Sequence, residues 1–225
     1  MEETSTNNIE AIYKSQKEFY RSHRTKEIPF RIDQLKKLKK AVLKYEDSIY
    51  EALAEDLNKS KEEAFLTEVS IVLQEIDFHL KNLKKWARAK KVSTPLPLLP
   101  SSSKILYEPL GIGLIISPWN YPFQLCINPL IGAISSGCCA ILKPSPDSPN
   151  TSKIMEEMIE EFFPSEYISL VQGGKETNQN LFHFPFDVIF FTGSSRVGKI
   201  VMKAAAEHLS KVILELGGKS PCIVD

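Results

Sequence analysis

Residues 188–199 read VIFFTGSSRVGK, and this stretch decides the fold. An apolar run rich in β-branched and aromatic residues, Val188–Phe191, is followed by Gly193 and then by a segment that favours a helix. Glycine lets the backbone approach a ligand closely, and the free amides at a helix N-terminus attract phosphate. The stretch therefore predicts a strand, a tight turn and a helix whose first turn could bind a phosphate group. A glycine turn without any ligand is the alternative.

The alternation of strand and helix continues on both sides of this stretch. Further strands are predicted at Ile112–Ile116, Ala140–Leu142, Ile168–Val171 and Val212–Leu216. Helices are predicted near Pro122–Ser136, Pro149–Phe162 and Arg196–Leu209. This alternation indicates an α/β fold with a parallel sheet and helices on both faces, and ligands of such sheets bind at the carboxyl ends of the strands.

Residues 1 to about 91 are predicted to be helical throughout. Apolar residues recur every three or four positions from Ile32 to Leu57 and from Leu66 to Leu83. Between these two stripes, Ser60 and Glu63 form a capping box that opens the second helix. The Pro- and Ser-rich segment 92–107 is expected to be a linker or an extended excursion, and the parallel sheet is expected within 108–225.

The composition excludes several functional classes. Lys+Arg and Asp+Glu both number 28, so bulk charge recruits neither nucleic acid nor an anionic membrane. The acidic N-terminus is unlike a signal peptide, and the apolar runs are too short to span a membrane. The cysteines show no CxxC or secreted pattern, so we expect buried free thiols, no metal site and a cytoplasmic protein. They are Cys126, Cys138, Cys139 and Cys222.

Three further polar groups lie at predicted strand ends. Asn120 is framed by prolines in SPWNYP (117–122), where a fixed amide can be aimed at developing negative charge. Lys143 is placed to reach a hydroxyl or phosphate of a nucleotide. Glu215 would have a raised pKa if it were partly buried, and it could then act as a general base. The alternatives are a packed aromatic turn, a surface lysine and a plain edge glutamate.

A phosphate-loop NTPase is disfavoured by one residue. Gly193–Lys199 matches GxxxxGK, but the next residue is Ile200, where magnesium binding requires Ser or Thr. Isoleucine has no oxygen with which to bind a metal.

Taken in order, the strand-end motifs resemble the aldehyde dehydrogenase superfamily from about Ile32 to Asp225. The motifs are PWNYP (118–122), KPS (143–145), FTGS (191–194) with Gly198, and ELGGKSP (215–221). EPLGIGLII (108–116) and VGKIV (197–201) are most similar to the class 3-like, fatty-aldehyde branch. The resemblance implies a Rossmann-like, NAD(P)-binding domain over 108–225 that ends where a catalytic domain begins.

The resemblance also implies roles for individual residues. Asn120 matches the amide that stabilises the oxyanion, and Glu215 matches the general base. Lys143 matches the lysine that bonds the adenosine ribose, and Gly174 would border the adenine. NAD or NADP is expected to be bound by Ile116, Ser117, Pro118, Trp119, Lys143, Gly193, Ser194, Val197 and Gly198.

Two departures from the family pattern affect these expectations. Pro146 stands three residues after Lys143, where many NAD-preferring relatives have a glutamate that holds the ribose 2′-hydroxyl. Without that carboxylate we expect NADP to be tolerated. None of the four cysteines occupies the nucleophile's motif, which lies downstream of Glu215 in the family. Cys222 falls in a run interpreted as core.

The resulting expectation is an NAD(P)-dependent aldehyde dehydrogenase. It would oxidise an aldehyde to a carboxylic acid through a cysteine thiohemiacetal and thioester, and would be a homo-oligomer when complete. This chain would be its N-terminal part without the nucleophile. A stand-alone nucleotide-binding or interaction protein from a split gene is the alternative.

Overall fold

Helices make up the N-terminal part of the chain in the computed structural model, which describes residues 3–224. They span Thr6–Arg21 (α1), Ile28–Lys44 (α2), Glu46–Leu57 (α3), Lys61–Ala64 (α4) and Ser70–Trp86 (α5). A π-helical turn, Phe65–Val69, joins α4 to α5. Ser60 caps α4, since its Oγ accepts a hydrogen bond from the Glu63 amide at 3.1 Å. The predicted helix start at Ser60 is thus confirmed.

The prediction of helix throughout residues 1–91 is wrong in two respects. The stripe from Ile32 to Leu57 is split at Tyr45, which ends α2 and begins α3. Lys90–Val92 forms a strand (β1) that pairs antiparallel with Ser103–Ile105 (β2), inside the segment expected to be a linker or excursion. Helical periodicity could not reveal this pairing, because the partner strand lies beyond a run of prolines.

A five-stranded parallel sheet follows, as the alternation of strands and helices predicts. Its strands are Ile112–Ile116 (β3), Cys139–Lys143 (β4), Ile168–Leu170 (β5), Val188–Gly193 (β6) and Lys211–Leu216 (β7), in the order β5-β4-β3-β6-β7. The helices around it are Gln124–Ser136 (α6), Pro149–Phe162 (α7), Lys175–Leu181 (α8) and Ser195–Glu207 (α9). The predicted α/β fold is confirmed. Helix α8 was not predicted, because it is short and mostly polar.

The strand order fixes where a ligand can bind. The chain moves outwards from β3 to β4 and β5, and then returns to add β6 on the other side of β3. In open α/β sheets, ligands bind outside the carboxyl ends of the strands at such a reversal. Strands β3 and β4 are buried along their whole length, whereas β7 is an exposed edge strand.

Helix α1 packs against this sheet rather than standing apart from it. Gln16 Nε2 donates to the carbonyl oxygen of Ala140 in β4 at 2.9 Å. Tyr13 OH donates to the carbonyl oxygen of Pro185, just before β6, at 2.8 Å. The N-terminal helices therefore share a core with the sheet and support the strands whose ends carry the polar motifs.

Candidate functional site

The polar strand ends predicted from the sequence meet at one edge of the sheet. Ile116 at the end of β3 is in register with Lys143 of β4 and with Phe191 of β6. Thr192 at the end of β6 is in register with Glu215 of β7. Because the strands are parallel and level, the loops that follow them open into the same space.

A cavity of about 1150 Å³ lies between this edge, the face of β3, β6 and β7, and helices α5 and α6. It brings together five of the predicted residues, Pro118, Trp119, Asn120, Gly193 and Glu215. The other seven do not line it, namely Ile116, Ser117, Lys143, Gly174, Ser194, Val197 and Gly198. The two predicted catalytic residues thus share one cavity, and most of the predicted cofactor residues lie beside it.

Asn120 and Glu215 are both exposed on the cavity wall. For Asn120 this leaves the side-chain amide free to donate to a ligand. The Glu215 carboxylate is exposed and not partly buried, because β7 is the edge strand and none of the described residues covers its outer side. The partial burial considered for Glu215 is therefore not found among residues 3–224.

Lys143 is the most buried charged group of the site, at 1% exposure, so it is not a surface lysine. Its ammonium group donates to the carbonyl oxygen of Pro144 at 2.7 Å. Burial lowers the pKa of Lys143 to about 8, and the nearby carboxylates of Glu3 and Asp147 oppose that shift. These two carboxylates were not considered from the sequence. Asp147 could have been, since it directly follows Pro146.

Glu3 reaches the region expected to border an adenine. Its carboxylate accepts hydrogen bonds from the amides of Gly174 at 2.9 Å and Thr177 at 3.2 Å, and also from the Thr177 hydroxyl. No sequence pattern links Glu3 to Gly174, because 171 positions separate them. The Glu3 carboxylate therefore lies near Lys143, although Pro146 stands where the resembled family often has a glutamate.

The start of α9 is a capped helix N-terminus that follows directly on β6. Ser194 caps the helix, and its Oγ accepts from the Val197 amide at 3.3 Å. Gly198 faces the sheet, where an added Cβ would lie 2.9 Å from Cδ2 of Leu216. Gly198 thus lets α9 pack closely on β7, which is the role of a helix-packing glycine in dinucleotide-binding turns.

Two buried hydroxyls at this edge have no oxygen or nitrogen partner among residues 3–224, and the Ser117 hydroxyl lies near the Cys126 thiol. Ser117 Oγ follows β3 and Thr192 Oγ1 lies near the end of β6. Unsatisfied buried polar groups are uncommon, and an absent ligand is one explanation. Together with the Lys143 ammonium group and the amides of α9, these hydroxyls fit a dinucleotide. Thr192 was missed as a candidate, although it lies within the FTGS motif.

The cysteines do not supply a nucleophile from within the sheet. Cys126, Cys138 and Cys139 are buried free thiols, as predicted. Burial raises the pKa of Cys126 and of Cys139 to about 12, so both stay protonated at neutral pH. Cys222 is exposed beyond β7, so its interpretation as core is wrong. The sequence suggested core because it shows an apolar run but not whether another element covers it.

Residues 3–224 provide neither a cluster of metal ligands nor a helix that could cross a membrane. Among them, no group of three or more His, Cys, Asp or Glu side chains is arranged to hold a metal ion. None of their helices is both long and apolar enough to cross a membrane.

Comparison with known proteins gives a consistent result. The model of the aldehyde dehydrogenase family matches residues 1–225. The 4,4'-diaponeurosporen-aldehyde dehydrogenase of Staphylococcus aureus is 52% identical over 219 residues, which are 97% of this chain and 48% of that protein. Aldehyde dehydrogenase family 3 member A2 of Macaca fascicularis is 47% identical over 91% of this chain and 42% of its own length.

Solved structures agree with the sequence relatives. The substrate-bound state of Staphylococcus aureus AldH superposes with a TM-score of 0.93 at 51% identity, over 95% of this chain and 46% of that one. Betaine aldehyde dehydrogenase from Staphylococcus aureus, in complex with NAD+, has a TM-score of 0.86 at 25% identity, over 97% of this chain and 43% of its own. The chain spans about half the length of the curated relatives it matches.

Proposed function

This chain belongs to the aldehyde dehydrogenase family, and from that premise we propose that it provides the cofactor-binding part of an enzyme that oxidises an aldehyde to a carboxylic acid with NAD+ or NADP+. One observation carries the proposal. An amide donor, Asn120, and a carboxylate, Glu215, face one cavity at the sheet edge where the capped N-terminus of α9 also lies. The proposed division is a helical segment over 1–91, a connecting segment over 92–107 and the cofactor domain over 108–225.

The residues beside the cavity would hold the dinucleotide. Lys143 would donate to the adenosine ribose, and the amides that begin α9 at Ser194 would bind the diphosphate. The Ser117 and Thr192 hydroxyls would gain the hydrogen-bond partners that the described residues do not supply. When bound, the nicotinamide would accept a hydride. The complex of betaine aldehyde dehydrogenase with NAD+ supports this choice of cofactor.

Asn120 and Glu215 would act on the substrate from the cavity wall. The Asn120 amide would donate to the aldehyde oxygen as it gains negative charge, and a donor fixed in place before the reaction is the most effective kind. The Glu215 carboxylate would accept a proton from the attacking thiol or from the hydrolytic water. Its exposure in residues 3–224 keeps it accessible to both.

The cysteine nucleophile is proposed to lie outside residues 1–225. Cys126 and Cys139 are buried and protonated, and Cys138 is buried beside them. Cys222 is exposed but lies outside the cavity lining. The thiolate is the reactive form of cysteine, so the buried thiols are unsuited to attack an aldehyde.

Two measurements test the proposal. Residues 1–225 alone should bind NAD+ in calorimetric titration but should not form NADH from an aliphatic aldehyde. The complete protein that carries this chain should form NADH with the same aldehyde. NADH formation by residues 1–225 that disappears in Cys222→Ala would show that the nucleophile has been misplaced. Binding without turnover in the complete protein would instead support a nucleotide-binding protein that is not an enzyme.

A further inference from the structure

A buried ion pair lies against the loop that carries Asn120. The Lys59 ammonium nitrogen is 2.6 Å from Oε1 of Glu68, and the two side chains are 8% and 0% exposed. Lys59 follows Asn58, whose left-handed backbone (φ 54°) ends α3, and Glu68 lies within the π-helical turn Phe65–Val69. Burying two charges carries a large desolvation cost, and π-helical turns are frequent at functional sites.

Lys59 also contacts the loop itself. The ammonium nitrogen donates to the backbone carbonyl oxygen of Asn120 at 3.1 Å. It also lies 4.0 Å from the centroid of the Tyr121 ring, which is a cation–π distance. The ammonium group therefore donates to the Glu68 carboxylate and to the Asn120 carbonyl, and it makes a cation–π contact with Tyr121.

Glu68 holds the other side of the same segment. Its Oε2 accepts from the amides of Phe123 and Gln124, each at 3.0 Å. These amides lie at the start of α6, where a carboxylate is favoured by the helix dipole. Burial raises the pKa of Glu68, while Lys59 and these amides favour its charged form. The pair is therefore hydrogen-bonded to the backbone at Asn120 and again at Phe123 and Gln124.

We propose that Lys59 and Glu68, called here the Lys59–Glu68 clamp, are positioning residues that aim the Asn120 amide into the cavity. The inference rests on the proposed role of Asn120. The Asn120 side chain is exposed, and among residues 3–224 only its backbone carbonyl is hydrogen-bonded. The direction of the amide therefore depends on the backbone of the loop, and the clamp is what fixes that backbone.

The first test compares a clamp variant with a matched control in the complete protein. Lys59→Met combined with Glu68→Gln removes both charges, so that no unpaired charge stays buried. We expect kcat to fall about 10- to 100-fold with little change in KM for the cofactor, because a misplacement of about 1 Å has effects of this size. The single variant Glu68→Gln is not a substitute, because it leaves the Lys59 charge buried without its partner and should lower thermal stability more than the double variant.

Asp56→Asn is the control, because Asp56 caps a different helix. Its carboxylate accepts from the amides of Asn150 at 3.1 Å and Thr151 at 2.7 Å, at the start of α7. This variant should lose thermal stability and keep its kcat. An equal loss of kcat in Asp56→Asn would show that general destabilisation explains the clamp result, and would overturn the proposal.

The second test adds Asn120→Ala to the clamp variant. If the clamp acts through Asn120, the combined variant should have the kcat of Asn120→Ala alone, since residues that act as a unit are not additive. Losses that multiply, or a clamp variant with the kcat of the unmodified protein, would overturn the clamp and leave Asn120 in place. An unchanged kcat in Asn120→Ala would overturn the proposed role of Asn120 and the clamp with it.

Discussion

Replacing Lys143 with methionine should stabilise the fold and weaken cofactor binding. Burial lowers the pKa of Lys143 from 10.5 to about 8. At about 1.4 kcal/mol per pKa unit, the folded state bears a cost of about 3 kcal/mol at pH 7, where the lysine is protonated in both states. The lost hydrogen bond to the Pro144 carbonyl offsets about 1 kcal/mol. We therefore expect Lys143→Met to raise the free energy of unfolding by about 2 kcal/mol at pH 7.

The pH dependence identifies the cause of this gain. Between the folded pKa of about 8 and the unfolded value of 10.5, the unfolded state binds more protons. The stability of the unmodified protein should therefore rise with pH across that window. The gain from Lys143→Met should fall by about 2–3 kcal/mol between pH 7 and pH 10. Urea unfolding at both pH values measures it, with exposed Lys153→Met as the control.

The desolvation argument would be refuted if Lys143→Met did not raise the free energy of unfolding at pH 7, or if the increase were equal at both pH values. Calorimetric titration with NAD+ then tests the function of the lysine. Unchanged affinity in Lys143→Met would remove Lys143 from the proposed ribose site while leaving the stability argument intact.

Three further predictions concern the loops and glycines around the cavity. Asn120→Ala in the complete protein should lower kcat about 10²–10³-fold, the usual loss for one oxyanion donor, and an unchanged rate of NADH formation would exclude it from the mechanism. The unmodified protein should use NAD and NADP with kcat/KM values within about two decades, a limit that corresponds to about 2.8 kcal/mol, and Pro146→Glu should shift the ratio towards NAD. Strict NAD use with no shift would indicate that other carboxylates control the choice. Gly132→Ala, where an added Cβ meets nothing within 4 Å, should stabilise by about 0.5–1 kcal/mol in urea unfolding. Gly198→Ala should not stabilise the protein, because the added Cβ would lie 2.9 Å from Cδ2 of Leu216. An equal increase in the free energy of unfolding for both variants would contradict the packing role of Gly198.

The sequence predicted which residues stand at strand ends but not what surrounds them. Asn120, Lys143 and Glu215 could be selected because each follows an apolar run, and parallel strands bring such positions to one edge. Whether each is buried depends on elements far away in the chain. Lys143 is covered and Glu215 is not, because β4 is an inner strand and β7 an edge strand. That order is a property of the folded sheet and is not visible in local periodicity.

The clamp was missed for a related reason. Lys59 and Asn120 are separated by 61 positions, and the sequence around Lys59 looks like an ordinary end of a helix. Local patterns report which face of an element is apolar, and a buried lysine matches no such pattern. Only the combination of burial with contacts to the loop distinguishes Lys59 from the many exposed lysines of the N-terminal helices.

Several groups whose burial carries a desolvation cost lie near the proposed cofactor site. Natural sequences are consistent across levels, and departures from that consistency concentrate at functional sites. Here a desolvated Lys143, partnerless hydroxyls on Ser117 and Thr192, and the buried Lys59–Glu68 pair each oppose stability. All of them lie at or beside the carboxyl edge of the sheet, next to the cavity. A surface that served only packing would gain nothing from these groups. Partnerless buried oxygens also lie elsewhere among residues 3–224, on Thr25, Tyr167 and Ser210. What is particular to this edge is their combination with a buried lysine and a buried ion pair, and that combination fits a polar ligand.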